Sequence, residues 1–206
     1  MKLIGRKNSS NVQKVLWCCA ELGIEYEHQD AGREFGVVDT DEFFKINPNR
    51  RVPVLIDGNF ILWESNAIVR MLSAKYGMGK LFPKDLQTQA NAGRWMDWQL
   101  ATLGPDFTAM FHGLVRDKRE NRQWDVINKS IIATQANLQI LDHYLAEQEF
   151  LAGENLTMGD IPAGIYVYRW YEFDEIDRKP LPNLERWYAK LTERPAFKEW
   201  VMVGLG

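Results

Sequence analysis

Two neighbouring hydroxyls, Ser9 and Ser10, stand between Asn8 and Asn11 just ahead of a run of helical periodicity. A helix start leaves backbone N–H groups without partners and carries partial positive charge, so it stabilises an anion placed there. Neither serine has a histidine or carboxylate beside it in sequence, and a hydroxyl without a base is a poor nucleophile. Either can still donate a hydrogen bond to a thiolate brought by a ligand, a charge-assisted bond about twice as strong as a neutral one. The same four residues would also serve as ordinary helix caps. Cys18 and Cys19 offer less. Neighbours on a helix face different ways, so a bridge between them is unfavourable, and both read as small buried hydrophobes. No CxxC is present, and the three histidines, His28, His112 and His143, lie far apart, so no metal site is expected.

The elements that must position these groups fall into two kinds. Leu3-Ile4 is a short strand, followed by a helix with Val12, Val15, Leu16, Cys19 and Leu22 at helical spacing and Gly23 as its stop. Ile24 to His28 alternates as a second strand, and Asp41 to Ile46 suits a short helix stopped by Asn47-Pro48. Val52 to Ile56 and Asn59 to Leu62 flank Asp57-Gly58 as a hairpin, with Pro53 confined to a strand start or edge. Ser65 should cap a helix that ends at Gly77. From Gln87 onward the period is helical. One segment runs to about Arg116 with a break expected at Gly104-Pro105, and another covers 123–147. Thr157 and Asp160 have capping-box spacing, with Leu156 and Ile161 as a staple, and Pro162 should bend the first turn of that helix. A helix preceded by Pro180 and Pro182 and a last short one opened by Pro195 close the chain. The run from Arg116 to Arg122 mixes both signs and reads as a solvated loop.

The chain has 206 residues, 46% of them hydrophobic and 26% charged, which fits a globular protein able to bury a sizeable core. Lys and Arg total 25 against 28 Asp and Glu, a net charge of −3, so a nucleic-acid partner is not expected. The N-terminus has no apolar leader and no stretch is long enough to span a membrane, so a cytoplasmic protein without a membrane partner is expected. Eight tryptophans are unusual, and six of them (Trp95, Trp98, Trp124, Trp170, Trp187 and Trp200) fall in the helical part.

Four motifs in order carry a family likeness: Asn8-Ser9-Ser10-Asn11-Val12-Gln13-Lys14-Val15, Asn47-Pro48-Asn49-Arg50-Arg51-Val52-Pro53, Trp63-Glu64-Ser65-Asn66, and Leu156-Thr157-Met158-Gly159-Asp160-Ile161. With them the chain resembles the glutathione transferases over nearly its whole length, in particular the bacterial theta- and delta-like serine classes. The resemblance implies an α/β thioredoxin-like N-terminal domain over 1–80, a linker over 81–88, and an all-α helical C-terminal domain over 89–206 that forms the electrophile pocket. Thioredoxin-like folds can carry a cysteine where Ser9 and Ser10 stand here, so dithiol redox chemistry is not the expected activity.

The likeness further implies an enzyme that activates the thiol of glutathione as a thiolate for attack on a small hydrophobic electrophile, in a homodimer serving detoxification. Ser9 would stabilise the sulfur, with Asn11 as second candidate and Ser10 one position away. Arg51 would meet the glycine carboxylate, and Val52 would pair with the glutathione backbone ahead of a cis Pro53. Glu64 and Ser65 would hold the γ-glutamyl end. Phe35, Phe107, Met110, Phe111 and Trp170 are the implied electrophile pocket. Glutathione is then a co-substrate, and neither a metal nor another cofactor is implied. Arg50 departs from the family's usual glycine, and the stretch from Gln29 to Asp41 offers only Arg33 as a cation. Disulfide reduction, dehalogenation, isomerisation, or a non-catalytic interaction role on the same fold are the alternatives.

Overall fold

A computed structural model describes residues 1–205. β1 (Lys2–Ile4), α1 (Ser10–Leu22), β2 (Glu27–Gln29), α2 (Asp41–Ile46), β3 (Val54–Asp57), β4 (Phe60–Trp63) and α3 (Ser65–Tyr76) form the α/β unit. Its four-stranded sheet runs β2-β1-β3-β4, with β1 parallel to β2 and both other pairings antiparallel. The helices α4 (Leu86–Trp98), α5 (Gly104–Phe111), α6 (Trp124–Leu145), α7 (Asp160–Tyr171), α8 (Pro182–Thr192) and α9 (Pro195–Trp200) make the second unit. The fold class is the expected one: an α/β domain followed by an all-helical domain.

Local chemistry explains most element ends. Gly23 closes α1 in the left-handed conformation at φ 64°, where a Cβ would be costly. Thr40 caps α2 by accepting from the Phe43 N–H, and Asp85 caps α4 by accepting from Thr88. The second strand is shorter and later than its alternation suggested, because only Glu27 to Gln29 pair with β1. The hairpin turn also moves by one residue. Asp57 pairs with Phe60, so Gly58 and Asn59 make the loop, with Gly58 at φ 61°. Ser65 is the first residue of α3 rather than its cap, a place taken by Glu64.

The expected break at Gly104-Pro105 is absent. Helical backbone continues from α4 through a wide π turn, Gln99–Leu103, into α5, and a second wide turn covers His112–Arg116. Pro105 has no N–H for the Ala101 carbonyl, and the ladder widens immediately ahead of it instead of ending. Pro162 does not interrupt α7 either, since the helix starts at Asp160. That puts the proline in the first turn, where its missing donor would have had no partner.

One core spans both units. Trp17 of α1 meets Phe197 of α9 edge-on, with ring centroids 4.8 Å apart. Gly159 lets the start of α7 touch α4, because a Cβ there would lie 2.9 Å from the backbone of Ala92. Gly159→Ala is therefore expected to destabilise by about 2 kcal/mol, read from urea denaturation at constant m-value.

Candidate active site

Ser9 occupies the N-cap of α1 at φ −76° and ψ 126°, yet its hydroxyl makes no capping bond. Its backbone is fully engaged, the N–H donating to Arg6 and the carbonyl accepting from Gln13. The side chain, nearly buried, lines a cleft of about 520 Å³ between the two units, together with Ser10 and Asn11. Asn11 is tied to the second helix start, as its Oδ1 accepts from the Ser65 hydroxyl at 3.3 Å. The N-termini of α1 and α3 therefore converge on one edge of the cleft.

The approach to β3 is held by buried Asn47, whose Nδ2 donates to the Arg51 carbonyl and whose Oδ1 accepts from the Asn49 N–H. The Val52–Pro53 peptide is cis. Arg50 explains its own departure from glycine. The backbone keeps the left-handed conformation at φ 53°, which costs a non-glycine residue about 1 kcal/mol. Its side chain offsets this by donating to the Val38 and Thr40 carbonyls and covering the Phe44 ring. Glu64 also sits at positive φ, 71°, with no capping bond, so its carboxylate is exposed beside buried Ser65.

Of the site residues read from sequence, Ser9, Ser10, Asn11, Arg51, Val52, Phe107 and Phe111 line this cleft. Glu64, Ser65 and Pro53 lie beside it, connected through Asn11 and Val52. Phe35 is 46% exposed in a short 3-10 turn and does not line it, while Met110 and Trp170 are buried in the core. Among the described residues no tryptophan lines the cleft; Trp17, Trp95, Trp170 and Trp187 are core.

The helical wall holds residues that sequence reasoning passed over: Arg116, Tyr166 and Arg169, with Arg6 opposite. Arg116 closes the second wide turn and borders the cleft, and the run from Arg116 to Asn121 is exposed throughout, as expected of a solvated segment. Arg169 is buried, and donates to the Asn8 carbonyl and to Gln13 Oε1. Burial pushes its guanidinium down to about 10, against the opposing pull of Tyr166 and Tyr168.

Beneath α1 lies Lys14, wholly buried, whose Nζ donates to Gln99 Oε1 at 2.7 Å and sits over the Tyr166 ring. Burial pushes this ammonium down to about 7; Glu64 works against that shift and Arg169 with it. A lowered lysine pKa means the folded protein holds fewer protons than the unfolded chain between about pH 7 and 10.5. Stability tied to Lys14 therefore rises with pH across that window. Lys14→Met is expected to be more stable than the parent by about 1–2 kcal/mol at pH 7, less by pH 10, read by urea titration at both. A gap that does not narrow would contradict the assignment.

The fold and cleft define a thioredoxin-like α/β domain joined to a helical domain, with a helix N-terminus opening onto the cleft they share. The chain matches the family model described as glutathione S-transferase, N-terminal domain, over residues 1–73, and the C-terminal domain model over 96–195. It is 41% identical over 203 residues to glutathione S-transferase GstB of Escherichia coli K12, covering 98% of this chain and 97% of the relative. Glutathione S-transferase D6 of Drosophila melanogaster is 29% identical, with 91% and 85% covered. A glutathione-bound theta class glutathione S-transferase from Xanthomonas axonopodis pv. citri superposes with a TM-score of 0.96 at 42% identity, over 100% of this chain and 98% of that one. The chain belongs to the glutathione S-transferase family. Among the described residues no helix is long and apolar enough to cross a membrane.

Proposed function

We propose that this protein binds glutathione in the cleft, stabilises its thiolate with the Ser9 hydroxyl, and transfers it to an electrophile held by the helical wall. The observation carrying this reading is the Ser9 hydroxyl, uncommitted within the protein and set at a helix N-terminus that faces a cleft. In this reading the α-carboxylate of the γ-glutamyl group is received by Ser65 and the start of α3, and its ammonium by Glu64. Val52 pairs with the cysteinyl backbone as an added strand would, and Arg51 meets the glycine carboxylate. A free thiol of pKa about 8.5 is lowered by the hydroxyl and the helix terminus, and the thiolate attacks. Asn11 orients Ser65 and remains second candidate at the sulfur. Phe107 and Phe111 are the cleft-facing members of the electrophile pocket.

The protein's own thiols are poorly placed for disulfide exchange. Cys18 and Cys19 are buried free cysteines, and burial raises both, Cys19 to about 12. Glutathione is the co-substrate, and no further cofactor is assigned. A homodimer in the cytoplasm, built from units at 1–80 and 89–206 joined by 81–88, completes the reading. Its support is the family likeness and the exposed Phe60 and Ile61 on edge strand β4. Sedimentation at micromolar concentration is expected to give a dimer. Retention on immobilised glutathione, followed by an aryl halide, a small haloacid and a mixed disulfide, tests the reaction itself. Absence of retention together with absence of turnover would restore the non-catalytic alternative.

A further inference from the structure

The lining of the cleft is strongly one-signed. Arg6, Arg33, Arg50, Arg51, Arg116 and Arg169 all border it, and no Asp or Glu among the described residues does. Bound glutathione would bring two carboxylates and one ammonium. Its glycine carboxylate is served by Arg51 and its γ-glutamyl carboxylate by the start of α3, which leaves Arg6, Arg33 and Arg116 without a role. Among the described residues these three pair with no carboxylate, whereas Arg70, Arg122 and Arg194 elsewhere each hold one.

Proximity within the trio is visible in its electrostatics. Burial and Arg33 push Arg6 down, and burial, Arg33 and Arg6 push Arg116 down. Glu34 opposes this at Arg6 and Asp117 at His112, but neither acid borders the cleft. Arg6 Nε is buried without a partner. Three cations held together with no acid between them form a site for an anion from outside.

Beside the trio is an apolar platform. Phe107 and Phe111 stack with centroids 6.0 Å apart, and two guanidinium groups lie near the Phe111 ring, Arg169 at 4.8 Å and Arg116 at 5.4 Å from its centroid. Arg116 is also steadied by His112, whose Nε2 lies 2.6 Å from its Nη1. Burial and Arg116 hold the imidazole below its usual range, so it is neutral and accepts from the guanidinium.

We propose that the second substrate is an anionic electrophile, a small flat molecule stacked on Phe107 and Phe111 with its carboxylate held by Arg116, Arg6 and Arg33. This rests on the glutathione-transfer reading above and replaces a purely hydrophobic electrophile with a charged one. For a carboxylated aryl chloride the thiolate sulfur bonds to the ring carbon that bears chlorine. The C–Cl bond then breaks, and chloride leaves with its electron pair.

The test compares 4-chloro-3-nitrobenzoate with 4-chloro-3-nitrobenzamide, each as kcat/KM divided by its uncatalysed rate constant with glutathione. 1-chloro-2,4-dinitrobenzene is the neutral reference. The benzoate is expected to gain at least about tenfold more acceleration than the benzamide, and less in high salt as the charges are screened. Arg116→Gln should cut that preference about fivefold and Arg116→Lys should restore part of it, while Arg119→Gln, at an exposed position outside the cleft, should leave it unchanged. If the dinitrobenzene is conjugated but the benzoate gains no more than the benzamide, the anion assignment is overturned and the transferase reading stands. A preference that survives both Arg116→Gln and the Arg33→Gln/Arg116→Gln double variant overturns the assignment to this cluster. If no electrophile is conjugated, the parent reading falls and takes this inference with it.

Discussion

Replacing Ser9 with alanine is expected to lower kcat for conjugation about a hundredfold while changing the Kd for glutathione by less than about threefold. Removing one preorganised donor from a developing or stabilised anion costs about 10²–10³ in rate, and the Ser9 hydroxyl has no other occupation in the protein. Binding should survive because, in the proposed mode, the glutathione ends rest elsewhere, at the start of α3 and at Arg51. The pH profile separates this role from a structural one. In the parent protein kcat/KM should rise with an apparent pKa below the ordinary thiol value of about 8.5, and in Ser9→Ala that midpoint should move up toward it. Unchanged turnover and midpoint would transfer the role to Ser10 or Asn11.

The largest stability effect is expected at Asp160. Its carboxylate is wholly buried and accepts from the Leu151 and Thr157 N–H groups, both at 2.8 Å, the Trp187 indole at 3.0 Å and the Thr157 hydroxyl at 3.1 Å. Burial raises this carboxyl, and the four donors oppose the shift. Asp160→Ala would leave all four donors buried without an acceptor, a loss of about 4 kcal/mol. For a chain of this length that corresponds to a Tm about 10 °C lower by calorimetry. Asp160→Asn keeps the volume and one acceptor oxygen, so it should fall between parent and alanine variant. An alanine variant within about 1 kcal/mol of the parent would show that water replaces the carboxylate.

Those two residues also mark what could be read in advance. The start of α1 and the Thr157–Asp160 pair were legible because their bonds join residues a few positions apart, where spacing alone decides geometry. Even there, the helix begins three residues after Thr157, two later than a cap at Thr157 would place it. The Asp160 side chain reaches back to the Thr157 N–H, and Thr157 accepts from Gly159. The cationic wall was not legible. Arg169 meets Asn8 across 161 positions and Lys14 meets Gln99 across 85, and no local pattern carries such a pairing. A helical stripe makes Met110 and Trp170 pocket candidates but does not say which neighbour each one faces. In the fold both are core, and the Met110 N–H donates to Ser130 of α6. Arg50 could be flagged as a departure from the family, but not how it keeps a glycine-like backbone.

The two wide turns in the long helix have a consequence for its angular phase. Each holds one N–H to a carbonyl five residues back, Gly104 to Gln99 and Asp117 to His112, where an ordinary turn spans four. An inserted residue rotates everything downstream by about 100° around the axis. Deleting a single residue within Gln99–Leu103 would leave a continuous helix of nearly the same length, but Phe107 and Phe111 would swing about a quarter-turn away from the cleft. In this wall the number of residues upstream sets the aim of the pocket as firmly as their identity does.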